Sequence, residues 1–300
     1  MKFELPSPPR AVSRVVKAVA GGAALVAIVV VAFLALGGSG GSGIDPVAQA
    51  ATVSTAAPGY QMHLSMLMTS PAFPTPITAT GDGTFDGRTH SASVSIAMNF
   101  GNVPQLTRAL GSSTLDIREI LAGTTIYMKL PPAAVQALPL GGKQWLAINL
   151  AKVKGISGVS SLLSNPTSSN PAQFLQYLRA ESDSIATVGT EQVGGVMTTH
   201  YHVDLNFDRV AGALPAADRP AVSRAIATIE QETHLHRVPA DVWVDGHHLV
   251  RRIKMAIAVP ASTGPGLTEN MTIDFVHYGV EPAAAPPPAG QVTDMSGLLG

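Results

Sequence analysis

The sequence predicts an α+β protein. One large, strongly curved antiparallel sheet, a half-barrel of about ten or eleven strands, covers a few helices and follows one N-terminal transmembrane helix. Three observations predict it: apolar and polar residues alternate with a period of two in run after run from Tyr60 to Phe275, glycine-bearing turns separate the runs, and an uncharged apolar stretch occupies Ala18 to Leu36.

The apolar stretch comes first. As a helix Ala18 to Leu36 would span about 28 Å, enough to cross the hydrocarbon core of a bilayer. Lys2, Arg10, Arg14 and Lys17 precede it with only Glu4 opposing, and no Lys or Arg occurs between Leu36 and Arg88. The positive-inside rule therefore predicts a basic cytoplasmic tail at 1–17, a single pass through the cell membrane at 18–36, and an extracytoplasmic location for everything after Gly37. In the alternative reading the segment is a signal peptide, because Ala48-Gln49-Ala50 has the small-residue spacing of a cleavage site. Both readings place the bulk of the chain outside the cytoplasm.

Residues 37–43, Gly-Gly-Ser-Gly-Gly-Ser-Gly, form a flexible linker by composition. They match a nucleophile-elbow string and a GxGxxG string, but neither follows a soluble strand or opens a packed helix, as those mechanisms require. At the far end Pro282 to Pro288 lies in a Pro/Ala-rich tail, 281–300, expected to fall beyond the ordered structure. Residues 44–280 then form one extracytoplasmic domain.

Within that domain Tyr60, Met62, Leu64, Met66 and Met68 alternate with Gln61, His63 and Ser65. Further strands are predicted at Ile77 to Phe85, Val94 to Phe100, Leu115 to Leu121, Ile126 to Leu130 and Leu146 to Leu150. The pattern resumes at Ile185 to Val193, Met197 to Phe207, Val242 to Val244, Leu249 to Val259 and Met271 to Phe275. Asp86-Gly87, Ala122-Gly123, Gly194-Gly195 and Asp245-Gly246 are the expected hairpin turns. Helices are expected at Asp45 to Thr55, at Ile156 to Leu163, after Asn170-Pro171, and after Asp218 and Pro220, where Val222, Ile226 and Ile229 share a face.

Composition excludes several classes of function. A net charge of -1 leaves no basic excess for nucleic acid, and the absence of cysteine excludes disulfides, thiol catalysis and a Cys-linked lipid anchor. Hydrophobic residues are 46% of the chain and charged ones 13%, a balance that points to a membrane-linked protein.

Eight of the ten methionines fall on the apolar parity of predicted strands. Flexible, polarizable thioethers suit a cavity that accepts alkyl chains of variable shape, and equally suit a filled core. The expected acyl-chain lining is Met62, Leu64, Met66, Met68, Ile96, Met98, Ile126, Met128, Met197, Tyr201, Met255, Ile257 and Ile273. On the opposite parity His200, His202 and Asp204 have the spacing of a metal-binding surface or of a solvated strand face. Arg251-Arg252 reads as a lipid-phosphate rim or as an exposed face. Nothing resembles HExxH, and no catalytic residue, metal or cofactor is predicted.

Several phrases resemble the LppX/LprA/LprF/LprG family of actinobacterial envelope lipoproteins, within the LolA-like half-barrels. They are Gly142-Lys143-Gln144-Trp145-Leu146, Val188-Gly189-Thr190-Glu191 with Val193-Gly194-Gly195, Thr199-His200-Tyr201, Asp241-Val242-Trp243-Val244-Asp245-Gly246, and Leu249-Val250-Arg251-Arg252. The resemblance implies a bent sheet whose concave side holds the acyl chains of envelope lipids or glycolipids, with no chemistry performed. The chain departs from the family at its anchor, because the lipobox cysteine is missing and the apolar helix stands in its place. A ligandless envelope scaffold or sensor for an unspecified protein partner is the alternative, and a metal-dependent enzyme is a more distant one.

Overall fold

The computed structural model describes residues 46–295, apart from 132–141, 150–181, most of 207–235, 260–265 and a few scattered positions. Helix α1 (Pro46–Thr55) opens with proline, whose fixed φ and missing N–H suit a first helical turn. Twelve strands follow: β1 (Gly59–Thr69), β2 (Ile77–Asp86), β3 (Ser91–Asn99), β4 (Thr114–Ala122), β5 (Thr125–Lys129), β6 (Trp145–Asn149), β7 (Ser182–Val193), β8 (Val196–Asn206), β9 (Arg237–Asp245), β10 (Val250–Val259), β11 (Leu267–Tyr278) and β12 (Val292–Asp294).

All twelve belong to one sheet in the order β12-β6-β5-β4-β3-β2-β1-β11-β10-β9-β8-β7. β1 to β6 form one antiparallel meander and β7 to β11 another, and β11 closes the two halves by pairing with β1. The sheet curves without closing, so β7 and β12 remain edges. Each of the eleven predicted runs is a strand. β12 is the addition, and it corrects the expectation that order stops at the proline tract: Val292 to Asp294 pair in parallel with Trp145 to Ala147. The Lys143 ammonium secures the junction by donating to the Val292 carbonyl at 3.0 Å.

The predicted turns form as their chemistry requires. Gly194 and Gly195 both have positive φ, 58° and 82°, which lets two residues join β7 to β8 with the twist the strands need. At the C-terminal end of β9, Asp245 is buried and its Oδ1 accepts the N–H groups of His247 and Leu249 at 2.8 and 2.9 Å. That clamp holds His248 at φ 60°, the one positive non-glycine φ among the described residues.

Bulges reset the strand parity, among them one in β11 and one in β10. In β11 the register slips by one residue opposite Gln61 and Met62, and the extra residue, Val276, is 61% exposed. Phe275 and Tyr278 therefore both meet Tyr60, with ring centroids 5.2 and 5.9 Å away. In β10 the slip falls at Arg251, so Val250 is buried where simple alternation predicts Leu249.

Most of the buried apolar side chains of the sheet, with two from α1, form one cluster. α1 contributes Val47 and Ala50, and Ser54 Oγ accepts the N–H of Val250 at 2.8 Å, fixing the helix to β10. The Tyr278 hydroxyl donates to the Val250 carbonyl at 2.6 Å. Of the other expected helices, the two at Ile156 to Leu163 and after Asn170-Pro171 lie outside the described residues. In the run after Pro220 only Ser223, Ala227 and Glu230 are described, and all three are helical. Among the described residues no helix is long and apolar enough to cross a membrane. The span expected at 18–36 and the linker lie outside them.

Candidate functional site

The inner face of the sheet is organised in rows that run across the strands. Hydrogen-bond register aligns Leu115, Met98, Ala79, Met66, Met271, Met255, Ala240 and Val203, one residue from each of β4, β3, β2, β1, β11, β10, β9 and β8. Four of the eight are methionines, and all four are buried. Period-two alternation puts them on one face, but only the register puts them in one line.

The neighbouring row contains Ile77, Met68, Glu269 and Ile257. Glu269 is 3% exposed, and its Oε1 has no hydrogen-bond partner among the described residues. Burial in this apolar setting pushes its carboxyl up to about 7. At the other end of the inner face Glu119 lies between Val94 and Met128, and burial raises its carboxyl as well.

Of the predicted lining, Met62, Leu64, Met66, Met68, Met98, Met255, Ile257 and Ile273 are buried in the core cluster, and Ile96, Ile126 and Tyr201 pack against it half-buried. Met128 pairs with Glu119 on the same face. Met197 departs from the expectation: it keeps the apolar parity of β8 but stands 58% exposed beside the Gly194-Gly195 turn, where the sheet runs out of neighbours. Sequence reasoning missed Glu269 and Glu119. The signal was there, a carboxylate on the apolar parity beside Met271 in one strand and beside Ile117 and Leu121 in the other.

The outer face carries charge. Register brings His200, Trp243, Arg252, Asp274, His63 and Asp82 into one row from β8 to β2. His200 and His202 do not form a metal surface with Asp204; they converge on Asp241, whose Oδ1 lies 3.0 Å from His200 Nε2 and 2.9 Å from His202 Nδ1. Burial alone would push the Asp241 carboxyl up, but hydrogen bonds from His202 and His200 outweigh it and hold the carboxyl below its ordinary value. Trp243 stacks on His200 at 4.2 Å and donates its indole N–H to Glu191 at 2.6 Å. Among the described residues no group of three or more His, Asp or Glu is placed to hold a metal ion.

The two arginines are engaged within the sheet. Arg251 donates to Asp245 Oδ2 at 2.7 Å, and Arg252 makes a two-pronged pair with Asp274, its Nη2 to Oδ2 distance being 3.0 Å. Hydrogen bonding to Asp274 raises the Arg252 guanidinium above its ordinary value.

No family model matches this chain, and no curated protein matches it. Among solved structures, the Mycobacterium tuberculosis lipoprotein LppX aligns over 80% of this chain and 95% of its own, at 14% identity and a TM-score of 0.40. LprF from Mycobacterium bovis aligns over 83% of this chain and 100% of its own, at 11% identity and a TM-score of 0.39. The chain is similar to LppX and LprF. Both names stand in the family that the sequence phrases resemble.

Proposed function

We propose that this protein is a membrane-anchored extracytoplasmic lipid or lipoglycan binding and transfer protein that holds acyl chains against the inner face of its sheet and performs no chemistry. The observation that carries the reading is the methionine row: Met98, Met66, Met271 and Met255, aligned across five strands with Ala79 among them. Thioether side chains repack around alkyl chains of differing shape at small cost. Burying each CH₂ of a chain contributes about 0.8 kcal/mol, so one long chain binds without a specific hydrogen bond.

The anchor is the apolar run 18–36, oriented by the basic residues before it. With the linker at 37–43 giving an r.m.s. reach of about 15 Å, the domain works close to the outer surface of the cytoplasmic membrane. Lipids or glycolipids with acyl chains are the partners, nucleic acid is not, and no cofactor is involved.

The test is native mass spectrometry of the full-length chain released from detergent after bacterial expression, followed by organic extraction. Stoichiometric acyl lipid is the expected result. A clean unliganded mass, with no uptake of fluorescent phospholipid or fatty acid, overturns the reading in favour of a scaffold. A reporter fused after Val280 is expected to be active only outside the cytoplasm, and activity inside would overturn the orientation.

A further inference from the structure

Every inward position in the row beside the methionines is apolar except one. Glu269 lies between Met68 and Ile257 and two residues from Met271, all of them buried. Burying a carboxyl oxygen there without a partner is unfavourable relative to an apolar residue of similar size. A second orphan lies just before β2 in the chain: Thr75 Oγ1 is buried without a partner among the described residues, two residues before Ile77, which itself opposes Met68. Of the two, Glu269 lies on the inner face, where the reading above places acyl chains.

We propose that Glu269 is a ligand-binding residue that selects acyl chains bearing a hydroxyl group within the chain. The inference rests on the lipid-binding reading and deepens it. A hydroxyl is the complementary chemistry because it both donates and accepts, is neutral, and crosses an apolar interior at far lower cost than an ammonium or a second carboxylate. A carboxyl raised to about 7 by burial is partly protonated at neutral pH, so it too can donate and accept. Nonspecific burial cannot make this distinction, since methionine and isoleucine read chain length weakly and oxygen substituents only by excluding them.

The experiment uses methyl oleate and methyl ricinoleate, which differ by one mid-chain hydroxyl and carry no free acid. The full-length chain in nanodiscs is equilibrated with an equal mixture, repurified, extracted and quantified by mass spectrometry, with empty nanodiscs as background. The expected result is about tenfold enrichment of the ricinoleate, the ratio that one buried hydrogen bond supplies. Glu269→Gln keeps a donor and an acceptor and is expected to retain most of the enrichment, whereas Glu269→Met should bring the ratio to about one while total uptake is maintained. Equal uptake of both esters by the wild type, or enrichment that survives Glu269→Met, overturns the role of Glu269 and leaves lipid binding standing. Failure to retain either ester above the empty nanodiscs overturns both.

Discussion

Met62 lies folded across Gly83: a Cβ built on the glycine would sit 2.5 Å from the thioether methyl carbon. The two residues are register partners on β1 and β2, so the missing side chain of one is the space the other occupies. Gly83→Ala is expected to displace a flexible chain end and cost about 1 kcal/mol. At Gly81 the added Cβ would meet the Ser95 carbonyl oxygen at 2.7 Å, and backbone cannot swing aside as a methionine can. Gly81→Ala should therefore cost more, about 2–3 kcal/mol, and urea unfolding of the pair should rank them in that order.

Glu269 makes stability depend on pH. Its unfolded counterpart titrates near about 4.3, and the folded carboxyl is raised to about 7. The folded state thus holds the proton more tightly. The carboxyl's favourable contribution is fully present below the unfolded value and is lost as pH rises through the folded one. The loss amounts to about 3.7 kcal/mol at most. Glu269→Gln removes this dependence, so the wild-type and variant stabilities, measured by denaturant unfolding from pH 4 to 8, should diverge upward of pH 5. Parallel curves would show that the carboxyl does not titrate in this range.

On the outer face Asp241 receives two imidazoles at once. Asp241→Ala leaves His200 and His202 without their shared acceptor and is expected to cost about 1–2 kcal/mol. Because its carboxyl is held below the ordinary value, its contribution is present at neutral pH and is lost only in acid, as pH falls through the folded value. Thermal unfolding of wild type and Asp241→Ala should differ at pH 7, and the difference should shrink as pH falls below the ordinary carboxylate range.

Two methionines of the same parity should respond differently to truncation. Met68 is 1% exposed, and Met68→Ala is expected to cost about 2–4 kcal/mol. Met197 is 58% exposed, and Met197→Ala should change stability by no more than about 0.5 kcal/mol. Denaturant midpoints with an unchanged m-value will test the contrast.

Much of the fold was legible in the order of residues because its causes are local. Alternation from Tyr60 to Met68 needs only the pleat of a strand, and Gly194-Gly195 needs only the positive φ that glycine tolerates. All eleven expected strands follow from rules of that kind, as does α1 with its leading proline. The same rules misplace Leu249 relative to Val250, and they treat the proline tract as the end of order. A bulge at Arg251 and the parallel pairing of Val292 with Trp145 are set by neighbours distant in the chain.

The sequence alone therefore determined the strands, their turns and the oily parity of each, through backbone geometry and side-chain spacing. Tertiary structure alone decided that methionines from four strands fall in one row, that Glu269 is buried beside Met68, and that His200 and His202 meet Asp241. Those relations depend on register. Register is a property of pairs of strands whose partners lie up to some two hundred residues apart, as Met68 and Glu269 do, and a single bulge shifts every partner beyond it.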